Sequence, residues 1–250
     1  MSNPIKSVYD RTVGQLIHRL YPKLSFNSPN YLRQTARRLE HLATLGLPLA
    51  GRSVLEVGAG IGDHSSFYLD RGCRVTITEV RAENLRYLRR RYPQAEVRWL
   101  DVDHPPPTFE GGPWEIIHCY GLLYHLNNPE AALAFMAKHC SGMLLLETCV
   151  SFGETEDVNR VAERQGSPTQ AFSGTGCRPT RPWVLSRLKE HFAHAYVPAT
   201  QPNHEQFTLD WHAPEKHTAD FVRAIFIASR APLTSPLLLD TLPAEQRRQG

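Results

Sequence analysis

The feature that most constrains this chain is the run Val54-Leu55-Glu56-Val57-Gly58-Ala59-Gly60-Ile61-Gly62, where a short apolar segment breaks into alternating glycines. An apolar, β-branched stretch of this length reads as a strand buried on both faces. Glycine has no Cβ, so a loop with glycine at alternate positions turns sharply and brings its N–H groups close to a ligand. A strand entering such a loop is the start of a ligand-binding α/β unit. A dinucleotide fingerprint would need glycine at position 63, which is Asp63, and no Gly-Lys-Ser/Thr follows as in a phosphate-cradling loop. The loop therefore points away from NAD, FAD and nucleoside triphosphates.

The same alternation continues downstream. Apolar runs at 53–57, 74–78, 97–100, 115–119 and 143–146 are separated by helix-like stretches at 64–71, 82–92 and 129–139. Strict strand–helix alternation predicts a doubly wound α/β fold, with a mostly parallel sheet covered by helices on both faces. Two helices are expected before the first strand. One carries Val13, Leu16, Ile17 and Leu20 at helical spacing, and the other starts at Ser28-Pro29, an N-cap followed by proline. Beyond Val150 a stretch rich in Gly, Ser, Thr and Pro reaches Pro182, then a helix (183–191) and strands (193–197, 224–228) close the sheet. The expected organisation is one domain over 1–250: a helical N-terminal cover (1–50), a ligand-binding core (51–150), a cover insertion after the fifth strand (151–182), the end of the sheet (183–231) and a tail (232–250) expected to fray.

Composition narrows the function classes. Hydrophobic residues at 41% and charged residues at 21% are a globular balance, and no window approaches the run of about 18 apolar residues a membrane helix needs. Lys6, Asp10, Arg11, His18 and Arg19 interrupt any secretory apolar region, so a cytoplasmic location and no membrane partner are expected. A net charge of +3 is too small for a nucleic-acid binder, and Arg86, Arg89, Arg90 and Arg91 read as a solvated helix face. Five widely spaced cysteines read as reduced core thiols. The histidines at 191, 194, 204, 212 and 217 lack recognised ligand spacing, so no metal is expected.

The segment Glu56 to Gly62 matches every fixed position of acidic-x-G-x-G-x-G, and in this it resembles the class I S-adenosylmethionine-dependent methyltransferases. The resemblance implies a seven-stranded Rossmann-like sheet and S-adenosyl-L-methionine as cofactor. Glu56 is then expected near the ammonium of the cofactor, with Gly58, Ala59, Gly60 and Gly62 along its methionine and ribose. Glu79 ends the second strand about 20 residues past Gly58, where a carboxylate can accept both ribose hydroxyls, with Val80 beside it. Asp101 and Val102 match the adenine-contacting position after the third strand, Asp101 reading equally as a turn former. Tyr120 and Gly121 match the segment after the fourth strand that lines the methionine side.

For the reaction, His125 is the best-placed base, since a neutral imidazole accepts a proton near pH 7, and Tyr124 is its understudy; a packing role for His125 is equally open. Substrate contacts are expected from Glu147 at the end of the fifth strand, from Arg178 and Arg181 in the glycine-rich stretch 173–182, and from Tyr31 in the N-terminal helices. Thr180 can instead cap the helix that follows, leaving both arginines to surface acids. The expected activity is methyl transfer to an oxygen or nitrogen of a small molecule, and a homodimer is compatible with it. The alternatives are acceptor-free consumption of the cofactor with release of 5′-methylthioadenosine, by cyclisation or lyase chemistry, and transfer-RNA wobble-uridine modification, suggested by Gly121-Leu122-Leu123-Tyr124-His125.

Overall fold

A computed structural model of the chain describes residues 16, 20–163 and 169–249. The helix expected over 8–20 falls outside these residues except at Leu16 and Leu20, and the described chain opens with a 3-10 turn, Pro22–Phe26. Helix α1 (Pro29–Thr44) follows, with Ser28 Oγ accepting from the Tyr31 N–H and proline at the first helical position. That cap satisfies one of the donors a helix start leaves unpaired.

The core alternates as expected: β1 (Ser53–Val57), α2 (Ser65–Leu69), β2 (Arg74–Glu79), α3 (Ala82–Arg91), β3 (Glu96–Trp99), β4 (Trp114–Tyr120), α4 (Pro129–His139) and β5 (Cys140–Val150). After β5 come β6 (Val158–Ala162), β7 (Thr175–Pro179), α5 (Arg181–His191), β8 (His194–Pro198), β9 (Thr200–Gln201), β10 (Val222–Ser229), β11 (Leu238–Leu239) and β12 (Arg247–Arg248). The main sheet runs β11-β8-β10-β5-β4-β1-β2-β3. Pairings from β3 through β5 are parallel, while β10 is antiparallel to both β5 and β8.

Three features depart from the sequence reading. The sheet has eight strands rather than seven, because Leu238 and Leu239 pair with Pro198 and Val197 at its edge. The tail expected to fray is thereby docked, and β12 adds a parallel pairing with β9. The insertion after β5 is not a plain loop: β6 and β7 form an antiparallel pair, Val158 opposite Pro179 and Ala162 opposite Thr175. Short strands of this kind are set by their tertiary partners, so glycine and proline content alone read as loop. Among the described residues no helix is long and apolar enough to cross a membrane.

Two apolar clusters sandwich the sheet. One face carries Val54, Ile77, Ile116, Leu145 and Ile225 against α1, α2 and α3; the other carries Leu55, Ile117, Leu144, Leu146 and Phe226 against α4 and α5. Side chains alternate between faces along a strand. Continuing each row on the α1 face toward the carboxyl ends, Val54 leads to Glu56, Ile77 to Glu79, Ile116 to His118 and Tyr120, and Leu145 to Glu147. The hydrophobic rows therefore turn polar over two successive levels across four adjacent strands, Glu56 beside His118 and, one step further on, Tyr120 beside Glu147. β1 lies between β2 and β4, the topological switch point outside which open α/β sheets bind ligands.

Candidate functional site

A cavity of about 440 Å³ opens at these levels, roofed by the Pro22–Phe26 turn and the first half of α1 and closed at one side by Thr169, Gln170, Phe172 and Ser173. Its floor at the β1 and β2 end is the glycine loop. Gly58, Gly60 and Gly62 have φ of +70°, +59° and +79°, backbone that L side chains rarely adopt. A Cβ at Gly58 would also lie 2.6 Å from Leu122, and one at Gly62 2.6 Å from Tyr92, so packing beneath the loop reinforces the conformational requirement.

Glu79 shapes the loop directly. Its Oε2 accepts from the Gly60 N–H at 2.9 Å, and its Oε1 from the Val80 and Arg81 N–H groups at 2.8 and 2.9 Å. Burial pushes its carboxyl above the ordinary range despite these bonds. Ala59, Val80 and Val102 also line the cavity, as does Asp101, whose Oδ1 is engaged by the Asp103 and His104 N–H groups. Asp101 is thus a turn residue that still faces the cavity.

Glu56 is 2% exposed, accepts from Ser65 Oγ, and is pushed by burial up to about 7. No described cation pairs with it, so a cationic ligand group would relieve the cost of burying this carboxylate. Beside it His64 Nδ1 lies 3.1 Å from His118 Nε2, and His118 Nδ1 lies 2.8 Å from the Tyr68 hydroxyl. Glu56, His64 and His118 offer ligand atoms within 4.8 Å of one another, so they are the one set among the described residues that could hold a metal ion. A metal held by His118 would have to displace one of its two ring contacts, to His64 or to the Tyr68 hydroxyl. Burial holds His64 down at about 3, with Arg38 adding to the effect, so this histidine is neutral.

At the other end the cavity is walled by Tyr31, Gln34 and Arg38 of α1, by Tyr120, Gly121, Tyr124 and His125 after β4, and by Arg178, Gln206, Phe221 and Arg223. His125 sits in a 3-10 turn, Leu123–His125. Its Nδ1 lies 2.5 Å from Glu163 Oε2, which also accepts from the Ala171 N–H. A carboxylate can only accept, so Nδ1 carries the proton and Nε2 keeps its lone pair. Burial pushes His125 below its ordinary value although Glu163 opposes the shift. The Tyr124 ring lies against His125, tilted by 41° with centroids 3.9 Å apart, and its hydroxyl is 3.3 Å from Arg223 Nη2; burial raises it, so it stays a phenol.

The substrate contacts expected from sequence divide three ways. Tyr31 and Arg178 line the cavity, although Arg178 is also tied to Glu163 Oε1 and to the Tyr124 carbonyl. Glu147 does not line it: fully buried, it pairs with Arg223 at 3.0 Å and Arg38 at 3.3 Å, and those arginines face the cavity in its place. Arg181 is a second correction. Both its Nη atoms donate to the Pro243 carbonyl and its guanidinium lies 3.6 Å over the Trp211 ring, away from the cavity, so it holds the docked tail. Thr180 caps α5 by accepting from the Trp183 N–H.

Arg38, Gln34, Gln206, Arg223 and Glu163 were not found from sequence. Arg38 had a signal: with Thr35, His41, Leu42 and Leu45 it falls on the buried face of α1, where a charge is out of place. Arg223 is likewise a charged residue in a strand buried along its whole length.

A methyltransferase-domain family model matches residues 12–193. No curated protein sequence matches the chain. Similar solved structures include the N-terminal domain of EvdMO1 in the presence of SAH and D-fucose, at 20% identity and a TM-score of 0.59, covering 81% of this chain and 84% of that one. Magnesium protoporphyrin IX methyltransferase (ChlM) from Synechocystis PCC 6803 with bound SAM is similar at 13% identity and a TM-score of 0.56, covering 89% and 97%. Burkholderia thailandensis 1,6-didemethyltoxoflavin-N1-methyltransferase, with bound 1,6-didemethyltoxoflavin and S-adenosylhomocysteine, is similar at 16% identity and a TM-score of 0.52, covering 93% and 92%.

Proposed function

The chain belongs to the methyltransferase-domain family and is an S-adenosylmethionine-dependent methyltransferase, and from that premise we propose that its acceptor is a small molecule methylated on oxygen or nitrogen. The observation that carries this reading is the single cavity that joins a cofactor-shaped end to a base-bearing end. The cofactor end fits S-adenosylmethionine: Glu56 is a buried carboxylate without a cationic partner, suited to an ammonium, and Glu79 stands at the ribose-binding end of β2. Asp101 and Val102 border the place where the adenine would lie, with Tyr120 and Gly121 on the methionine side.

When bound, the cofactor supplies a methyl group activated by a sulfonium. The protein aligns the acceptor, excludes water and takes up a proton. The Pro22–Phe26 turn, Tyr31 and Phe172 cover the cavity and limit solvent access. His125 is the base of this reading, because the bond to Glu163 leaves its Nε2 free to accept the acceptor's proton and Glu163 then stabilises the imidazolium. Glu163 is a positioning residue, and Tyr124 packs against the His125 ring. The cavity of about 440 Å³ must hold cofactor and acceptor together, so the acceptor is a small molecule. The related structures crystallised with D-fucose and with 1,6-didemethyltoxoflavin agree with that size class.

The test is product identification by mass spectrometry after incubation with S-adenosylmethionine, with and without a low-molecular-weight extract. S-adenosylhomocysteine formed only with the extract supports the reading. Release of 5′-methylthioadenosine from enzyme and cofactor alone would overturn it in favour of acceptor-free chemistry.

A further inference from the structure

Charge does not balance at the acceptor end of the cavity. Arg38 and Arg223, 4% and 5% exposed, share one carboxylate, Glu147. The neighbouring Arg178 brings no spare anion, since Glu163 already serves both it and His125. A buried guanidinium without a counterion is costly, so the surplus positive charge calls for an anion from outside the chain. Hydrogen bonding is also incomplete here: Arg38 Nε, the Tyr120 hydroxyl and Glu147 Oε2 are buried and find no hydrogen-bond partner among the described residues, although Glu147 Oε2 lies 3.3 Å from Arg38 Nη2. Gln34 Oε1 accepts from Arg38 Nη2, and Gln206 Oε1 from Arg223 Nε, which fixes both forks in place.

This surplus borders the acceptor end, where it meets the methionine side of the cofactor site. Arg223 is on β10, Glu147 on β5 and Tyr120 at the end of β4, and a Cβ on Gly121, just beyond β4, would meet Arg38 Nη1 at 3.4 Å. Strands in a sheet are about 4.8 Å apart, so β10 is roughly 14 Å from β1 and its glycine loop. Resting on the methyltransferase reading above, we propose that the acceptor carries a carboxylate, seated by the guanidinium groups of Arg38 and Arg223. Paired guanidinium donors suit a planar carboxylate, and the rings of Tyr124 and Phe221 flank Arg223 with an apolar surface for the rest of the molecule.

The test uses the full chain loaded with S-adenosylhomocysteine and titrated calorimetrically with sodium benzoate, against benzamide as the uncharged isostere, at constant ionic strength. Benzoate should bind and benzamide should bind roughly tenfold or more weakly, the scale of a charge-assisted hydrogen bond. Arg38→Gln should abolish the preference. If that variant does not fold, the benzoate-to-benzamide ratio on the unaltered protein decides alone. Equal binding of the two probes, or of neither, overturns the proposal. So does benzoate binding that S-adenosylhomocysteine excludes, which would give the anion site to the cofactor's own carboxylate. Failure to bind S-adenosylhomocysteine at all would instead refute the methyltransferase reading.

Discussion

Replacing Glu147 by glutamine removes one charge while keeping shape, and its cost follows from the surroundings. Glu147 has no exposed surface and is the sole carboxylate between Arg38 and Arg223, which are themselves almost fully buried. Breaking a buried ion pair by removing one partner costs about 3–5 kcal/mol. The new amide oxygen can still accept one hydrogen bond, returning roughly 1 kcal/mol. Glu147→Gln should therefore lower stability by about 2–4 kcal/mol, and for a chain of this size each kcal/mol moves Tm by about 2–4 °C. Arg38→Met is the informative comparison. It leaves Arg223 and Glu147 as a balanced pair, so it should cost less than Glu147→Gln even though it deletes the larger cation. Urea unfolding and calorimetry of the ligand-free proteins would measure both. A loss below about 1 kcal/mol for Glu147→Gln, or a larger loss for Arg38→Met, would refute the charge imbalance inferred from these distances.

Gly60→Val should abolish S-adenosylhomocysteine binding by calorimetry while far-UV circular dichroism is unchanged, since a β-branched residue resists φ of +59°; undiminished affinity would remove the glycine loop from the site. His125→Ala should reduce kcat about 100-fold or more and Glu163→Gln less, with the wild-type rate persisting below pH 6.5 because burial keeps His125 neutral there. An unaltered kcat in His125→Ala leaves that residue structural. Stability should fall as pH drops from 6.5 to 5: His41 and His64 are held at about 4 and 3, so the unfolded chain takes up protons that the native one refuses, at roughly 1.5 kcal/mol for each of these two histidines over this range, and His204, lowered to about 4, acts in the same direction. Glu56, raised to about 7, takes up its proton in the native state and offsets part of this. A flat urea midpoint across that window would contradict it. Arg181→Ala should lower Tm without altering S-adenosylhomocysteine affinity, its bonds being to Pro243 and Trp211; weaker cofactor binding would restore it to the site.

The glycine-loop end of the cavity was legible because it is local. Strand, glycine loop and helix are contiguous, and each polar residue at the strand ends follows its apolar row at a spacing of two, so Glu56 and Glu79 could be read from periodicity and motif. Asp101 was legible as a position, although its turn hydrogen bonds emerged only with the backbone in view. The acceptor end is assembled from α1, the 3-10 turn after β4, the β6–β7 pair and β10, elements up to 185 residues apart (Arg38 and Arg223). Whether an arginine in such elements faces solvent, a carbonyl or a cavity depends on which strand lies beside it. Arg181 reads like Arg178 in sequence yet binds the tail, while Glu147 reads like a substrate contact yet serves as the counterion of two residues the sequence left unmarked. The sequence by itself determined the fold class and the Glu56–Gly62 loop, because backbone conformation and hydrophobic period are properties of neighbouring residues. Only the tertiary structure decided the acceptor wall, because charge pairing in a buried site is a property of residues that the fold brings together.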